Sequence, residues 1–230
     1  MTASAALVPI VHTSVHEAVY RKLRDHLMRG DYSAGQVLGI QDIADALGTS
    51  IMPVREALRR LAAQQALEPM KSRSMRVPLI SVERLEDIRR TRLLVEGQAT
   101  EWAVPRITAA ELKTLRVLSQ KIGSALNTPR KVASGLEQNQ QFHFTIYRAA
   151  NSPSMLAIIE SLWLQSGPYL RAARELMHSP ERPADELHAG ILHAIEHGDA
   201  AGARAAIERD ICWAFDRLRA AEHANLPRQA

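Results

Sequence analysis

Residues 43–61 read IADALGTSIMPVREALRRL, and the punctuation of this stretch decides the fold of the first third of the chain. Gly48 closes a short helix that begins near Gln41, because glycine enters the left-handed conformation of a helix end without strain. Ser50 stands where the next helix needs an N-cap. Pro53 falls in that helix's first turn, where an N–H would have no helical partner in any case. Val54, Ala57, Leu58 and Leu61 then form one apolar stripe at helical spacing, with Arg55, Glu56, Arg59 and Arg60 off it, to about Gln64.

Upstream, Val15, Val19, Leu23 and Leu27 recur every four residues, and Gly30 ends their helix before a polar turn. Downstream, two short apolar pieces, 66–70 and 75–80, flank Lys71, Ser72, Arg73 and Ser74, the pattern of a β-hairpin with a basic tip. Three helices followed by a basic hairpin predict a winged helix-turn-helix over residues 15–78, preceded by an unpatterned tail, 1–14. Pro78 to Ser81 reads as a linker. Beyond it the periodicity is helical, with helices expected near 82–104, 108–127, 131–150, 153–178, 184–197 and 199–222, and a break offered by Gly167 and Pro168. Thr108 and Glu111 form a capping box, and Gly198 with Asp199 supplies a helix stop followed by an N-cap. The fold class is mainly α: a winged helix-turn-helix, then an all-α bundle over 82–222.

Composition narrows the function. Of 230 residues, 46% are hydrophobic, 23% charged and only 4% aromatic, which excludes a disordered or collagen-like chain and argues against a sheet-rich sandwich. No apolar run approaches the roughly 20 residues of a bilayer helix and no export leader is evident, so the expected location is the cytoplasm, away from membranes. The lone cysteine, Cys212, has no partner for a disulfide or a thiolate metal cluster. Net charge is +4, and its excess lies N-terminally: residues 1–77 carry 10 Lys and Arg against 7 Asp and Glu. Arg55 and Arg59, four residues apart on the second helix of the motif, suit a major groove, where arginine bonds phosphate or guanine O6 and N7. Lys71 and Arg73 at the hairpin tip are placed for an adjacent groove or the backbone.

The stretch quoted above closely resembles the GntR family of bacterial transcription regulators, most specifically in its Pro53 to Leu58 run, PVREAL. The second half resembles the FCD ligand-binding domain. The resemblance implies that Arg55 contacts a base or phosphate, that Ser50 and Ile51 lie at the same DNA-facing helix start, and that Arg73 is a wing-tip residue. Many members carry arginine where this chain has Ile51; an aliphatic side chain there touches a thymine methyl but cannot bond guanine. Gln41 and Ser74 also depart from common arginine and glycine positions.

Helical phase sorts the histidines. Asn139 and His143 share the inward face of Phe142, Ile146 and Ala150, His188 lies beside inward Leu187 and Ile191, and Asp210 edges the face of Ile207 and Ile211. His193 and His197 point outward. One inward histidine is ordinarily a hydrogen-bonded core residue, but two with a carboxylate and an amide must satisfy one another or bind something. A divalent ion such as zinc, nickel or manganese suits that set. The resemblance sharpens this, since many FCD domains are held to have a metal site of Asp and His four residues apart plus two further histidines. Asn139, His143 and His188 match three positions, and Asp210 stands at the fourth. Arg92, out of place on an apolar face, reads either as a helical pair with Glu96 or as a clamp for an effector carboxylate, with Tyr169 and Arg171 as candidate neighbours.

The expectation is a regulator that binds a double-stranded operator as a homodimer, because one recognition helix gives little specificity, and that answers to a small carboxylate effector at a metal-containing pocket. The alternatives are a metal-dependent hydrolase and a regulator with a metal-free structural bundle. No nucleophile–histidine–acid arrangement supports the hydrolase.

Overall fold

A computed structural model describes residues 15–71, 74–79, 81–126, 132–175 and 183–225. The expected tail 1–14, Arg73 and His178 lie outside the described residues. The N-terminal unit comprises α1 (Val15–Met28), β1 (Val37–Leu38), α2 (Ile40–Leu47), α3 (Ile51–Ala63), β2 (Glu68–Pro69) and β3 (Met75–Arg76). Its core is the stripe read from sequence: Val54, Ala57, Leu58 and Leu61 of α3 are fully buried against Val19, Leu23 and Leu27 of α1. Arg60 secures the outer edge of that seam, bonding Glu17 at 2.9 Å and lying over the Tyr20 ring.

Two expectations need correction here. The hairpin gains a third strand, giving an antiparallel order β1-β3-β2 with Val37 opposite Arg76 and Glu68 opposite Arg76 on the other side. Ser50 occupies the N-cap position in an extended conformation, but its side chain makes no capping bond. Pro53 at the third helical position removes one of the two N–H groups, those of the second and third helical residues, from which an N-cap oxygen accepts.

The bundle comprises α4 (Val82–Ala103), a 3-10 turn (Val104–Arg106), α5 (Ala109–Leu126), α6 (Val132–Ala149), α7 (Pro153–Glu175), α8 (Pro183–Glu196) and α9 (Ala200–Asn225). Thr108 and Glu111 form the capping box reciprocally, Thr108 N–H donating to Glu111 Oε2 at 2.8 Å and Glu111 N–H to Thr108 Oγ1 at 3.3 Å. Gly198 ends α8 with φ +67°, and Asp199 accepts from the Gly202 amide to start α9. Helix α9 packs along α4 and α8, and α5 lies on α6 and α8. Helix α7 runs unbroken through Gly167 and Pro168.

That pair of residues has another use. α7 packs against α1, and Gly167 meets the Leu27 carbonyl so closely that an ideal Cβ would stand 1.7 Å from the oxygen. Arg84, at the start of α4, donates to the Gln65 carbonyl beyond α3 at 2.6 Å and reaches Gln165 of α7 at 3.4 Å. The two units therefore meet along α7.

Gly167→Ala should lower the melting temperature, because α1 and α7 must separate to admit a methyl. Gly190→Ala in α8, where a Cβ meets nothing within 4 Å, should raise stability by roughly 0.5–1 kcal/mol through helix propensity alone. Thermal and urea unfolding of the two variants checks this; equal effects would refute the close-approach account.

Candidate metal centre and nucleic-acid interface

The bundle's polar residues converge on one point. Asn139 and His143 project from α6, His188 from α8 and Asp210 from α9; both histidines are buried, and Asp210 is 16% exposed. His143 Nε2 lies 3.3 Å from Asp210 Oδ2, and His188 Nε2 lies 3.0 Å from Asn139 Oδ1. One ligand atom from each of His143, His188 and Asp210 falls within 4.8 Å of the others. Burial alone pushes the Asp210 carboxyl up, but the His143 hydrogen bond and the positive potential of His188, His143 and Arg92 outweigh it and bring it down to about 2. Asp210 is thus an anion at neutral pH.

Behind His143 stands a second buried group, centred on Glu96 of α4, which is wholly inaccessible to solvent. Glu96 accepts from Arg92 Nε at 2.6 Å and from Arg92 Nη2 at 3.3 Å, from Trp163 Nε1 at 3.1 Å, and from the Tyr147 hydroxyl. Burial works against the Arg92 charge, and Glu96 more than compensates, so its pKa rises. Burial, aided by Glu96, holds the Tyr147 hydroxyl well above its ordinary range, so it keeps its proton. The guanidinium also lies 4.9 Å from the Trp163 ring and 5.6 Å from Phe215. Its third nitrogen, Nη1, is buried with no hydrogen-bond partner among the described residues.

Tyr147 connects the two groups. Its hydroxyl donates to Glu96, since a carboxylate only accepts, and stands 3.3 Å from His143 Nδ1. His143 thus bridges the two groups, its Nδ1 3.3 Å from the Tyr147 hydroxyl and its Nε2 3.3 Å from Asp210 Oδ2. An imidazole nitrogen this close to a carboxylate oxygen has a cation between them, either a proton or a metal ion. Two imidazoles, a carboxylate and an amide oxygen form a donor set that fits a borderline divalent ion.

The other sequence-selected residues are placed as follows. Arg92 takes the helical-pair geometry with Glu96. Tyr169 is buried, and its charged neighbour is Arg84 at the junction between the units. The side chain of Arg171 lies outside the described residues. His193 and His197 are exposed on the far face of α8. Sequence reasoning treated Glu96 only as a partner for Arg92, and missed Tyr147; their four-residue offsets from Arg92 and His143 were the available signal.

In the N-terminal unit, α3 presents Ile51, Met52, Arg55, Glu56 and Arg59, with Met52 61% exposed. Arg60 is turned away toward α1. Lys71 is exposed beside the wing, whose strands are tied by Arg76 and Glu68 at 2.6 Å. Among the described residues no helix is long and apolar enough to cross a membrane.

An exposed recognition helix and wing, joined to a helical bundle with a buried polar cluster, define the class of two-part bacterial transcriptional regulators. Residues 15–77 match the bacterial regulatory proteins of the gntR family, and residues 87–211 match the FCD domain. The chain belongs to the GntR family, with an FCD domain, and is a DNA-binding transcriptional regulator. It is 31% identical to the HTH-type transcriptional regulator McbR of Escherichia coli K12 over 194 residues, covering 84% of this chain and 87% of that protein. The HTH-type regulator BphR of Paraburkholderia xenovorans is 29% identical, over 81% of this chain and 77% of its own length. The solved structure of E. coli McbR/YncC superimposes with a TM-score of 0.82 at 28% identity, over 94% of this chain and 100% of that one.

Glu96→Gln should cost about 3–5 kcal/mol in denaturant unfolding, because it strands a buried guanidinium, whereas Tyr147→Phe should cost about 1–2 kcal/mol. Similar losses for both would mean that the Arg92–Glu96 charge pair is not what holds the cluster.

Proposed function

We propose that this regulator binds its operator as a homodimer in the cytoplasm, and that a small carboxylate effector at a divalent metal in the bundle controls that binding. In this reading residues 15–78 read DNA, while 82–222 bind the effector and pair the protomers. The observation that carries it is the convergence of His143, His188 and Asp210, whose ligand atoms lie within 4.8 Å of one another, beside a buried guanidinium with one nitrogen unpartnered among the described residues. His143, His188 and Asp210 would hold the ion, with Asn139 as a weak fourth ligand or as a partner for metal-bound water. The bound ion, zinc, nickel or manganese, would offer open coordination positions to a carboxylate. Arg92 Nη1 supplies a charged donor from the protein side. A hydrolase reading is weaker, because the inward glutamate, Glu96, is fully engaged by three donors and has no freedom to act as a base.

Control follows from contact. Trp163, bonded to Glu96, and Gly167, seated on Leu27, are one turn apart on α7. An effector that draws Arg92 away from Glu96 shifts the acceptor of Trp163, and α7 carries that shift to α1 and, through Arg84, to the Gln65 carbonyl behind α3.

Metal analysis of untagged protein should find a divalent ion at the buried cluster: His143→Ala should remove one bound equivalent, and Asp210→Ala should weaken its binding. At an ion concentration 100 times Kd, the gain should be about 2.7 kcal/mol, or roughly 5–11 °C in Tm. No bound ion, and no shift with added zinc, nickel or manganese, would leave a hydrogen-bonded core cluster instead.

On the DNA side, Arg55→Ala should weaken specific binding by roughly 1–3 kcal/mol at fixed salt, while Lys71→Ala lowers affinity for all sequences. Ile51 and Met52 should read thymine methyls: replacing the contacted thymine by deoxyuridine should cost about 0.8 kcal/mol, or ~4-fold, in wild type and nothing in Ile51→Ala/Met52→Ala. Anisotropy with the two operators checks this, and an equal deoxyuridine penalty in both proteins would exclude methyl reading by this helix start.

A further inference from the structure

His193 and His197 lie on the exposed face of α8, opposite His188, in the last turn of the helix and the residue after it. Their rings are 4.1 Å apart between centroids and tilted by 45°. His197 Nδ1 lies 2.8 Å from the His193 carbonyl. A carbonyl only accepts, so Nδ1 carries the proton, and the lone pair of neutral His197 is fixed on Nε2, facing outward. This is the arrangement by which protein ligands orient a metal-binding imidazole, with one nitrogen donating to a backbone oxygen and the other left to the ion. No hydrogen bond or ion pair to the His193 ring is found among the described residues, so both of its nitrogens are available.

The electrostatic setting favours a cation. The pair sits at the C-terminal end of α8, where the helix carbonyls give a partial negative charge. The nearest acidic side chain in sequence, Glu196, is drawn off to Arg116 at 2.6 Å. Two imidazoles one helical turn apart, with no third protein ligand gathered beside them among the described residues, are a chelating pair for an ion that keeps water in its other positions.

We propose that His193 and His197 form a second, surface site for a borderline divalent transition ion, distinct from the buried cluster. It takes Cu2+ most tightly, and Ni2+ and Zn2+ less so, following the ordinary ranking for nitrogen ligands. The site does not rest on the effector reading, since it shares no residue with the buried cluster and stands whether or not that cluster binds metal.

The test titrates full-length untagged protein with Cu2+ alone, reading affinity calorimetrically and the number of coordinated imidazoles by pulsed EPR. A His188→Ala background leaves at most one imidazole in the buried cluster. In that background a site with two imidazoles should persist, and adding His197→Ala should reduce it to one imidazole and weaken it on the order of 10²-fold, the loss expected when a chelate becomes a single ligand. Should His188→Ala fail to fold, wild type is compared with His193→Ala/His197→Ala, whose exposed substitutions spare the core; the double variant should bind one equivalent fewer. Equal stoichiometry and affinity in wild type and the double variant, or no two-imidazole signal in the His188→Ala background, would overturn the proposal.

Discussion

The bundle depends on a carboxylate that no water reaches. Placing Glu96 in the interior is costly by several kcal/mol unless its lone pairs are occupied, and the chain occupies them from three helices: Arg92 from α4 itself, Tyr147 from α6 and Trp163 from α7. Each donor is constrained by the same bond that satisfies the acid. Arg92 lies near the Trp163 and Phe215 rings, Tyr147 is held 3.3 Å from His143 Nδ1, and Trp163 is fixed in rotation on α7. The polar interior is therefore one network, and the placement of the His143 imidazole is tied to where Glu96 sits.

That network bears on the arrangement of the two units. Trp163 lies on the long helix that also supplies Gly167, and Gly167 allows the α1 backbone an approach that any side chain would block. A helix bonded at one point to a buried acid and pressed one turn later against a neighbouring carbonyl has little freedom to rotate about its axis. Arg84 adds a second tie, from the start of α4 to the chain beyond α3. The attitude of the recognition helix is set by polar contacts made inside the bundle and at its edge.

Much of this was legible in the sequence, and the limits have physical causes. The stripe Val54, Ala57, Leu58 and Leu61 and the inward phase of Asn139, His143 and His188 follow from the helical repeat alone. β1 was not legible, because two residues carry no alternation. The missing cap at Ser50 was legible in principle, since Pro53 removes one of the two N–H groups in question, but a propensity reading weighs the two residues separately. The importance of Glu96 and Tyr147 depends on three helices meeting, and the need for glycine at 167 on a contact 140 residues away with Leu27. Such long-range terms leave no local trace. Tyr169, six residues beyond Trp163 on α7, has Arg84 of α4 as its charged neighbour, a pairing between helices that sequence spacing does not show.

The placement of the only carboxylate in the histidine cluster has its own consequence. An acid at position 139 would share α6 with His143, whereas Asp210 belongs to α9, the helix packed most extensively along α4. There its charge lies within the field of Arg92, which helps to hold it ionised. Arg92 is thus balanced between two anions, bonded to Glu96 and attracted by Asp210. A carboxylate arriving at Nη1 would add a third, shifting the balance on Asp210 and on the Glu96 network together. With the neutral amide at 139 and the acid at 210, the histidine cluster and the guanidinium become one electrostatic unit, joined through Asp210.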